Sequence, residues 1–232
     1  MRARRARQTT RACLGAIAAA LFAPAVMAQA WLPEKGSIGY TLDYTYTLNK
    51  EHYDSQGVPG DFGHTRVHVL SAGVSWSPAD RVLLQFGLPL VQTEYDGPFP
   101  HPSEVDDGGT HRKLTDFQAT VHYQLVDGPF ALSPYAGIVI PVQDYTVLGH
   151  AAPGRGLDEY WLGFFAAQSL NDWIPGAYAQ MRYNYAFVEK VVGVKHDRSN
   201  LDLELGYFLT RDWSLRLLGF WEETHGGIEL PV

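Results

Sequence analysis

Two acidic residues, Asp202 and Glu204, flank a single leucine in the segment "NLDLELGYF". Side chains two positions apart on an extended strand share a face and lie about 7 Å apart. Two carboxylates at such a separation are the arrangement found in glycosidases. The alternative is an ionic ladder, in which Arg182 on the preceding strand-like segment and Arg216 on the following one pair with the two acids. We favour the ladder and predict no catalytic residue.

The chain has nine histidines, a residue type that binds transition metals. His64 and His68 share a face of one strand-like segment, but four residues of extended chain separate them by about 13 Å. They therefore cannot chelate one ion by themselves. The histidines in or beside the long connecting segments are most simply solvated. We predict neither a metal site nor a cofactor.

A glycine-flanked arginine, Arg155, lies in "GHAAPGRGL" (149 to 157) and offers backbone donors and a fixed charge of the kind that binds phosphate. No GK[ST] sequence follows, and the chain continues into a strand-like segment. Nucleotide binding is therefore disfavoured. We expect a structured loop at one end of the domain, with His150 and Arg155 folded over its opening.

The elements that position these residues are nine strand-like runs, each of about ten or more residues, which exceed the usual length of about five or six. Such runs match the roughly 9 to 11 residues of a tilted strand that crosses a bilayer. Their connections alternate between short and long, as in outer-membrane barrels. The runs lie at 37 to 48, 64 to 76, 81 to 95, 114 to 125, 131 to 146, 159 to 170, 176 to 188, 198 to 210 and 213 to 223.

Polar and apolar residues alternate along most of these runs, as in "LTDFQATVHYQL" (114 to 125). One face of each strand is therefore apolar and the other carries charged or amide side chains. We predict that the apolar faces contact lipid and that the polar faces line a barrel lumen. The alternative is a soluble barrel with the apolar faces inside. The predicted lumen-lining residues are Asp43, Arg66, His68, Asp116, His122, Arg182, Asp202, Glu204 and Arg216.

The amino terminus has the pattern of a secretory signal peptide, with five arginines, an alanine-rich apolar run and a small-x-small triplet ending at Ala30. We predict a leader at residues 1 to 30, cut before Trp31, and a barrel domain at 31 to 232. Removal of the leader takes away the single cysteine, Cys13, and changes the formal net charge from −7 to −12. A strongly acidic exported chain is a poor candidate for binding nucleic acid.

The number of strands is odd, whereas bacterial single-chain barrels have even numbers. The ninth run leads into "THGGIELPV", where an outer loop would be expected. We therefore predict that at least one carboxyl-terminal strand is missing and that the complete barrel has ten or twelve strands.

Three segments, "LSAGVSWSPADRVLLQFGLPLVQTEY", "LTDFQATVHYQL" and "LGHAAPGRGLDEYWLGFF", together resemble the outer-membrane barrel family named for the meta-pathway of phenol degradation. The resemblance covers most of the mature chain in layout, and "GHAAPGRGL" is its most distinctive string. It implies a narrow transporter-like barrel and the passage of small aromatic or hydrophobic compounds. It supplies no site residues that match position by position.

The function that we predict is a non-enzymatic channel or transporter for small solutes in the bacterial outer membrane, in contact with lipid and lipopolysaccharide. One alternative is a barrel without transport that anchors surface loops for adhesion or envelope integrity. Another is an outer-membrane hydrolase, which needs a serine, a histidine and an acid within hydrogen-bonding reach at one rim.

Overall fold

A computed structural model describes residues 30 to 50, 52 to 53, 58 to 60, 63 to 97, 104 to 210 and 213 to 227. Residues 1 to 29, which include Cys13 and all of the predicted leader except Ala30, lie outside this part of the chain. The last five residues also lie outside it. The described strands are β1 (Ile38–Asn49), β2 (His52–Tyr53), β3 (Pro59–Gly60), β4 (His64–Ala79), β5 (Val82–Asp96), β6 (Thr110–Leu114), β7 (Asp116–Tyr123), β8 (Phe130–Pro141), β9 (Glu159–Ser169), β10 (Ala177–Val188), β11 (Asp197–Phe208) and β12 (Ser214–His225).

The nine predicted runs are all present as strands of one antiparallel sheet, in the order β1-β4-β5-β7-β8-β9-β10-β11-β12. Each long strand pairs with its neighbour along the chain, which is the meander of an up-and-down barrel. The predicted all-β antiparallel barrel class is therefore confirmed. Within the described residues, β1 and β12 are the two ends of this order, so the described part is an open, curled sheet.

The predicted strand at 114 to 125 is divided into β6 and β7 by Thr115. Leu90 pairs with Leu114 and Gly87 pairs with Gln118, so β6 and β7 carry one extra residue opposite β5. Pro89 lies at this point and has no N–H to donate, but its carbonyl accepts a hydrogen bond from Thr115 N at 3.1 Å. The result is a bulge, which bends the sheet locally.

The two faces of the sheet differ in polarity, as the alternation predicts. On one face the side chains of Tyr40 and Leu42 are 79% and 72% exposed. On the other face Glu204 and His122 are only 3% and 2% exposed. Asp43 of β1 and Arg182 of β10 line one cavity although five strands separate them in the sheet order, so the polar face is the concave one.

The residues just before β1 lie against the concave face at the end that carries the short turns. Ala30 is fully buried, and its carbonyl accepts a hydrogen bond from Ser133 Oγ at 2.7 Å. Trp31 donates its indole N–H to the carbonyl of Gly128 at 2.8 Å. We call residues 30 to 32 the amino-terminal segment. None of the described residues forms a helix that is long and apolar enough to cross a membrane.

Candidate functional site

A cavity of about 360 Å³ lies on the concave face and is lined by residues from β1, β4, β5, β7, β8, β9 and β10. We call it the lumen cavity. Three predicted lumen-lining residues, Asp43, His122 and Arg182, contribute to its wall. The rest of the wall is mainly small or polar on β1, β4, β5 and β7, apart from Val74 and Phe86, and has aromatic side chains on β8 and β9. Those aromatic side chains are Tyr135, Trp161 and Phe165.

The predicted ionic ladder is present beside the cavity. Arg182 and Asp202 are directly paired across β10 and β11, and Arg182 Nε donates to Asp202 Oδ2 at 2.5 Å. Glu204 accepts a hydrogen bond from the Tyr178 hydroxyl at 2.6 Å and lies 3.9 Å from an Arg216 nitrogen. Both carboxylates therefore have a cationic or hydroxyl partner, which is the arrangement of a structural ladder and not of a free catalytic pair.

A second charged group lies nearer the long-loop end, and we call it the mouth cluster. Arg198 donates to both carboxylate oxygens of Glu159 at 2.6 Å, and Trp161 donates its indole N–H to Glu159 at 2.9 Å. Glu222 of β12 lies 3.7 Å from Arg198. Arg155 reaches in from the β8–β9 loop to within 3.4 Å of Glu222 and 4.0 Å of Glu159.

The β8–β9 loop is held in place by hydrogen bonds to two acids. Asp106 accepts bonds from the backbone N–H groups of His150 and Ala151, each at 2.9 Å. The Tyr145 hydroxyl donates to Asp116 at 2.5 Å and accepts from the Gly156 N–H at 2.8 Å. Burial, and then the hydrogen bond to the Asp116 carboxylate, raise the pKa of Tyr145. This tyrosine therefore stays a neutral donor at physiological pH.

The predicted loop residues His150 and Arg155 both lie in this anchored loop. The His150 ring stacks on Tyr95 with a centroid distance of 4.9 Å. Tyr95, Val105 and Ala151 form a small buried apolar cluster beneath the loop. Because Arg155 extends from the loop to β12, the loop lies partly across the concave face.

Two residues assigned to the lumen by the sequence analysis, Arg66 and His68, lie on the convex face instead. Along β4 the side chains at even positions, such as Leu70 and Val74, are exposed on the convex face, and Arg66 and His68 are also at even positions. Ser71, at an odd position, faces the cavity. The His68 ring lies 4.9 Å from the ring of Tyr46. Arg66 pairs with Glu94 at 2.7 Å. The assignment was wrong because polar residues near the strand end, above the apolar belt, occur on both faces of β4.

Four residues at this end of the lumen were not predicted from the sequence: Glu159, Trp161, Arg198 and Glu222. Arg198 lies an even number of residues from Asp202 and Glu204 on β11, and Glu222 lies an even number from Arg216 on β12. A period-two count extended along each strand would therefore have placed both on the concave face. No sequence signal brings Glu159 and Arg198 together, because β10 lies between their strands. The small Ala186 opposes both Arg198 and Trp161 there, which leaves room for the contact across β10.

A serine and a histidine meet on the convex face in a pair of the kind that a nucleophilic site would need. Ser199 Oγ lies 2.7 Å from His225 Nε2, and Tyr185 stacks on the same imidazole. Asp197 is the backbone partner of His225, but its carboxylate accepts bonds from Tyr185 and the Val188 N–H. The acid is therefore not part of a relay to the histidine.

Metal binding and a groove on the convex face are the two remaining features to consider. The described residues contain no group of three or more His, Cys, Asp or Glu side chains that could hold a metal ion. A groove of about 660 Å³, larger than the lumen cavity, is lined mainly by convex-face side chains and is almost wholly apolar. Its main lining residues are Ala166, Ala179, Met181, Leu203, Leu205 and Leu217.

Comparison with known proteins relates this sheet to one solved channel. No family model and no curated protein matches the chain. An outer membrane channel from Pseudomonas putida F1 has a similar crystal structure, with a TM-score of 0.62 and 16% sequence identity over 88% of this chain and 78% of that chain. At such low identity the similarity establishes the fold, an antiparallel barrel of the outer-membrane type.

Proposed function

We propose that the protein is an outer-membrane channel for small aromatic or hydrophobic compounds, with its concave face as the pore lining. The single observation that carries this proposal is the opposite polarity of the two faces of one sheet. Tyr40, Leu42 and Leu217 project from the convex face with at least two thirds of their surface exposed. A continuous apolar surface of this kind is unfavourable in water and favourable against lipid acyl chains.

The concave face supports the same proposal because it provides partners for its own charges. A barrel in hydrocarbon must satisfy its polar groups internally, and the ionic ladder and mouth cluster do so. The similar channel from Pseudomonas putida F1 adds support at the level of the fold. The expected surroundings of the convex face are outer-membrane lipid and lipopolysaccharide.

The size and charge of the lumen favour small solutes that are not anions. Barrels with few strands leave little free space beyond their own side chains. Acids outnumber arginines among the charged concave residues described above, which favours cations over anions. These acids are Asp43, Asp116, Glu159, Asp202, Glu204 and Glu222, and the arginines are Arg155, Arg182, Arg198 and Arg216.

The test is solute entry and ion conductance of the full-length, refolded protein in lipid vesicles and planar bilayers. Toluene and benzyl alcohol would be compared with a sugar of similar size. We expect the aromatic compounds to enter faster than in vesicles with protein that has been unfolded by heat, and we expect a measurable single-channel current with a preference for cations. A folded barrel that passes neither ions nor solutes would overturn the proposal.

Two arginine–carboxylate ion pairs, Arg182–Asp202 and Arg66–Glu94, provide a matched control for the pore lining. Arg182→Ala removes a charge beside the lumen cavity and is expected to change the conductance and the ion preference. Arg66→Ala removes a charge from the convex face and is expected to leave both unchanged. A heat-modifiability shift on a detergent gel would show that each variant is folded before its conductance is compared.

A barrel that anchors loops without transport is the second candidate, because both ends of the described lumen carry obstructing residues. The mouth cluster lies at one end and the amino-terminal segment at the other. This candidate predicts no current from the folded wild type, and no increase when either obstruction is removed. The same bilayer recordings therefore decide between the two.

A further inference from the structure

We propose that His122 and Tyr135 form a binding site in the lumen cavity for a small, uncharged aromatic compound that carries a hydroxyl group. This inference rests on the proposed channel function and names a solute class for it. The chemical class comes from three properties of the cavity wall: two polar atoms and one carboxylate that have no partner within the described residues, and a group of aromatic rings beside the two atoms.

The two polar atoms are His122 Nδ1 and the Tyr135 hydroxyl. His122 is 2% exposed and its other nitrogen, Nε2, lies 2.7 Å from Thr120 Oγ1. Neither Nδ1 nor the Tyr135 hydroxyl has a hydrogen-bond partner among the described residues, although both are buried and both side chains line the cavity. A buried polar atom without a partner costs about 1–3 kcal/mol, so a ligand that supplies one is favoured.

The fold places these two side chains next to each other. His122 of β7 and Tyr135 of β8 are direct cross-strand partners, and their rings stack with centroids 5.0 Å apart. Tyr135 lies across Gly163 of β9, where an added Cβ would come within 2.8 Å of the tyrosine ring. The absence of a side chain at Gly163 therefore leaves room for the Tyr135 ring beside His122, and both side chains line the cavity.

The wall around these atoms is suited to an aromatic ring. Phe165 lies 5.0 Å from the Tyr135 ring and 5.2 Å from the His122 ring, and Trp161 lines the same cavity. Ring centroids 4.5–7 Å apart are in the range of favourable aromatic pairs. The opposite wall includes the small residues Ser71, Gly73, Ser75 and Gly87 beside the larger Gln85 and Phe86, and the small residues leave space that a ring could occupy.

The charges of the cavity disfavour an anionic ligand. Arg182 is the cation of the wall, but Asp202 neutralises it through a hydrogen bond of 2.5 Å. Asp43 lines the opposite side and forms no ion pair within the described part of the chain. A carboxylate ligand would therefore meet a net negative charge, whereas a hydroxyl group can donate or accept at His122 and Tyr135. The cavity volume of about 360 Å³ is at the lower end for ligand pockets, which suits a single ring.

The experiment measures binding of benzyl alcohol to the folded, full-length protein in detergent micelles by saturation-transfer NMR and titration. Cyclohexylmethanol tests the need for an aromatic ring, toluene tests the need for the hydroxyl, and benzoate tests the effect of charge. We expect benzyl alcohol to bind most tightly and benzoate most weakly. Equal binding of all four compounds, or of benzyl alcohol and cyclohexylmethanol, would overturn the proposal.

Two substitutions remove one polar atom each and keep an aromatic ring: Tyr135→Phe and His122→Phe. Each is expected to weaken benzyl alcohol binding by about twofold to tenfold, the equivalent of one hydrogen bond, and to leave toluene binding nearly unchanged. Thr93→Val is the matched control, because Thr93 Oγ1 is also buried without a partner in the described residues but does not line the cavity. If both phenylalanine variants bind as the control does, the two atoms are satisfied by water and the proposal fails.

Failure of this site can be told apart from failure of the channel function. A channel that conducts but shows no benzyl alcohol binding would remove the site and leave the channel. Binding that depends on His122 and Tyr135 in a barrel without current would leave the site and remove transport. Because binding is measured in micelles, the result does not depend on conductance.

Discussion

The two ends of the described lumen are obstructed by different kinds of interaction. At the long-loop end, Arg155, Glu159, Arg198 and Glu222 form the mouth cluster, and the loop above it is tied to the carboxylates of Asp106 and Asp116. At the short-turn end, the amino-terminal segment is held by neutral hydrogen bonds and by packing. Ala30 is buried there against Ala131, Tyr135, Phe165 and Ala167.

The two kinds of interaction respond differently to salt and pH. Ion pairs weaken as salt rises, because the Debye length falls from about 10 Å at 0.1 M to about 3 Å at 1 M, and they depend on the protonation of their acids. Apolar packing and neutral hydrogen bonds are much less sensitive to either. We therefore expect the long-loop end to be adjustable and the short-turn end to stay closed until the segment itself is displaced.

The largest effect is expected at Glu159. Glu159→Gln leaves Arg198, which is only 8% exposed, with the more distant Glu222 as its acidic partner. Removal of one partner of a buried ion pair costs about 3–5 kcal/mol, and because Glu222 still lies 3.7 Å from Arg198, the free energy of unfolding should fall by about 3 kcal/mol. Guanidinium unfolding in lipid vesicles, followed by tryptophan fluorescence, measures the change.

The matched control for this substitution is Glu223→Gln. Glu223 is exposed on β12 next to Glu222, but it faces the convex side and forms no ion pair within the described residues. Its replacement should change the stability by less than about 0.5 kcal/mol. Equal losses for the two variants would show that the mouth cluster has no special role.

The next effect concerns the amino-terminal segment. Trp31→Ala removes the indole hydrogen bond to Gly128 and the contact with Tyr178, so we expect a loss of about 1–2 kcal/mol and a clear rise in single-channel conductance. The ratio of the variant's conductance to that of the wild type should be the same at low and high salt. Trp173→Ala is the control, because Trp173 is 80% exposed at a short turn. A conductance rise in both variants, or in neither, would contradict the assigned difference between the ends.

A smaller effect is expected at Tyr145. The raised pKa of its hydroxyl means that the folded state favours the neutral form, so its contribution to stability is complete below the unfolded pKa of about 10 and is lost as the pH rises above that value. Tyr145→Phe removes the bond to Asp116 and should cost about 1 kcal/mol at neutral pH. The stability advantage of the wild type over the variant should shrink as the pH rises above about 10, because the unfolded chain ionises there and the folded Tyr145 does not. An advantage that is the same at neutral and alkaline pH would contradict the role of this hydrogen bond.

The comparison of the two ends also separates what the sequence predicts well from what it does not. Period-two alternation places all nine strands and the partners of Asp202 and Glu204, because each depends on neighbours in the chain. The mouth cluster depends on Arg198 reaching Glu159 over Ala186, a contact between strands that are not adjacent. Alternation also fails at the end of β4, where Arg66 and His68 are polar but face outwards.

The amino-terminal segment was not foreseen, because a short sequence before the first strand has no periodicity. Its contacts also bear on the predicted leader cleavage before Trp31. Ala30 can be buried beneath Ser133 and Gln124 only if it stays in the mature chain. Cleavage after Ala28, another small residue, would keep it. The intact mass of the exported protein distinguishes the two sites, and a chain that starts at Trp31 would contradict the buried role of Ala30.

The smallest effect is expected in the exposed part of the long-loop end. A hydrogen bond from His111, at 2.8 Å, lowers the pKa of Asp107. A lowered folded-state pKa gives a stabilisation that is present above the unfolded value of about 3.9 and is lost as the pH falls through the folded one. Because the Asp107 side chain is exposed, water and salt screen this stabilisation almost completely. His111→Ala should therefore raise the pKa of Asp107 in an NMR titration of its carboxyl carbon and leave stability and conductance unchanged. A change in conductance would mean that the exposed loop, and not only the mouth cluster, controls the long-loop end.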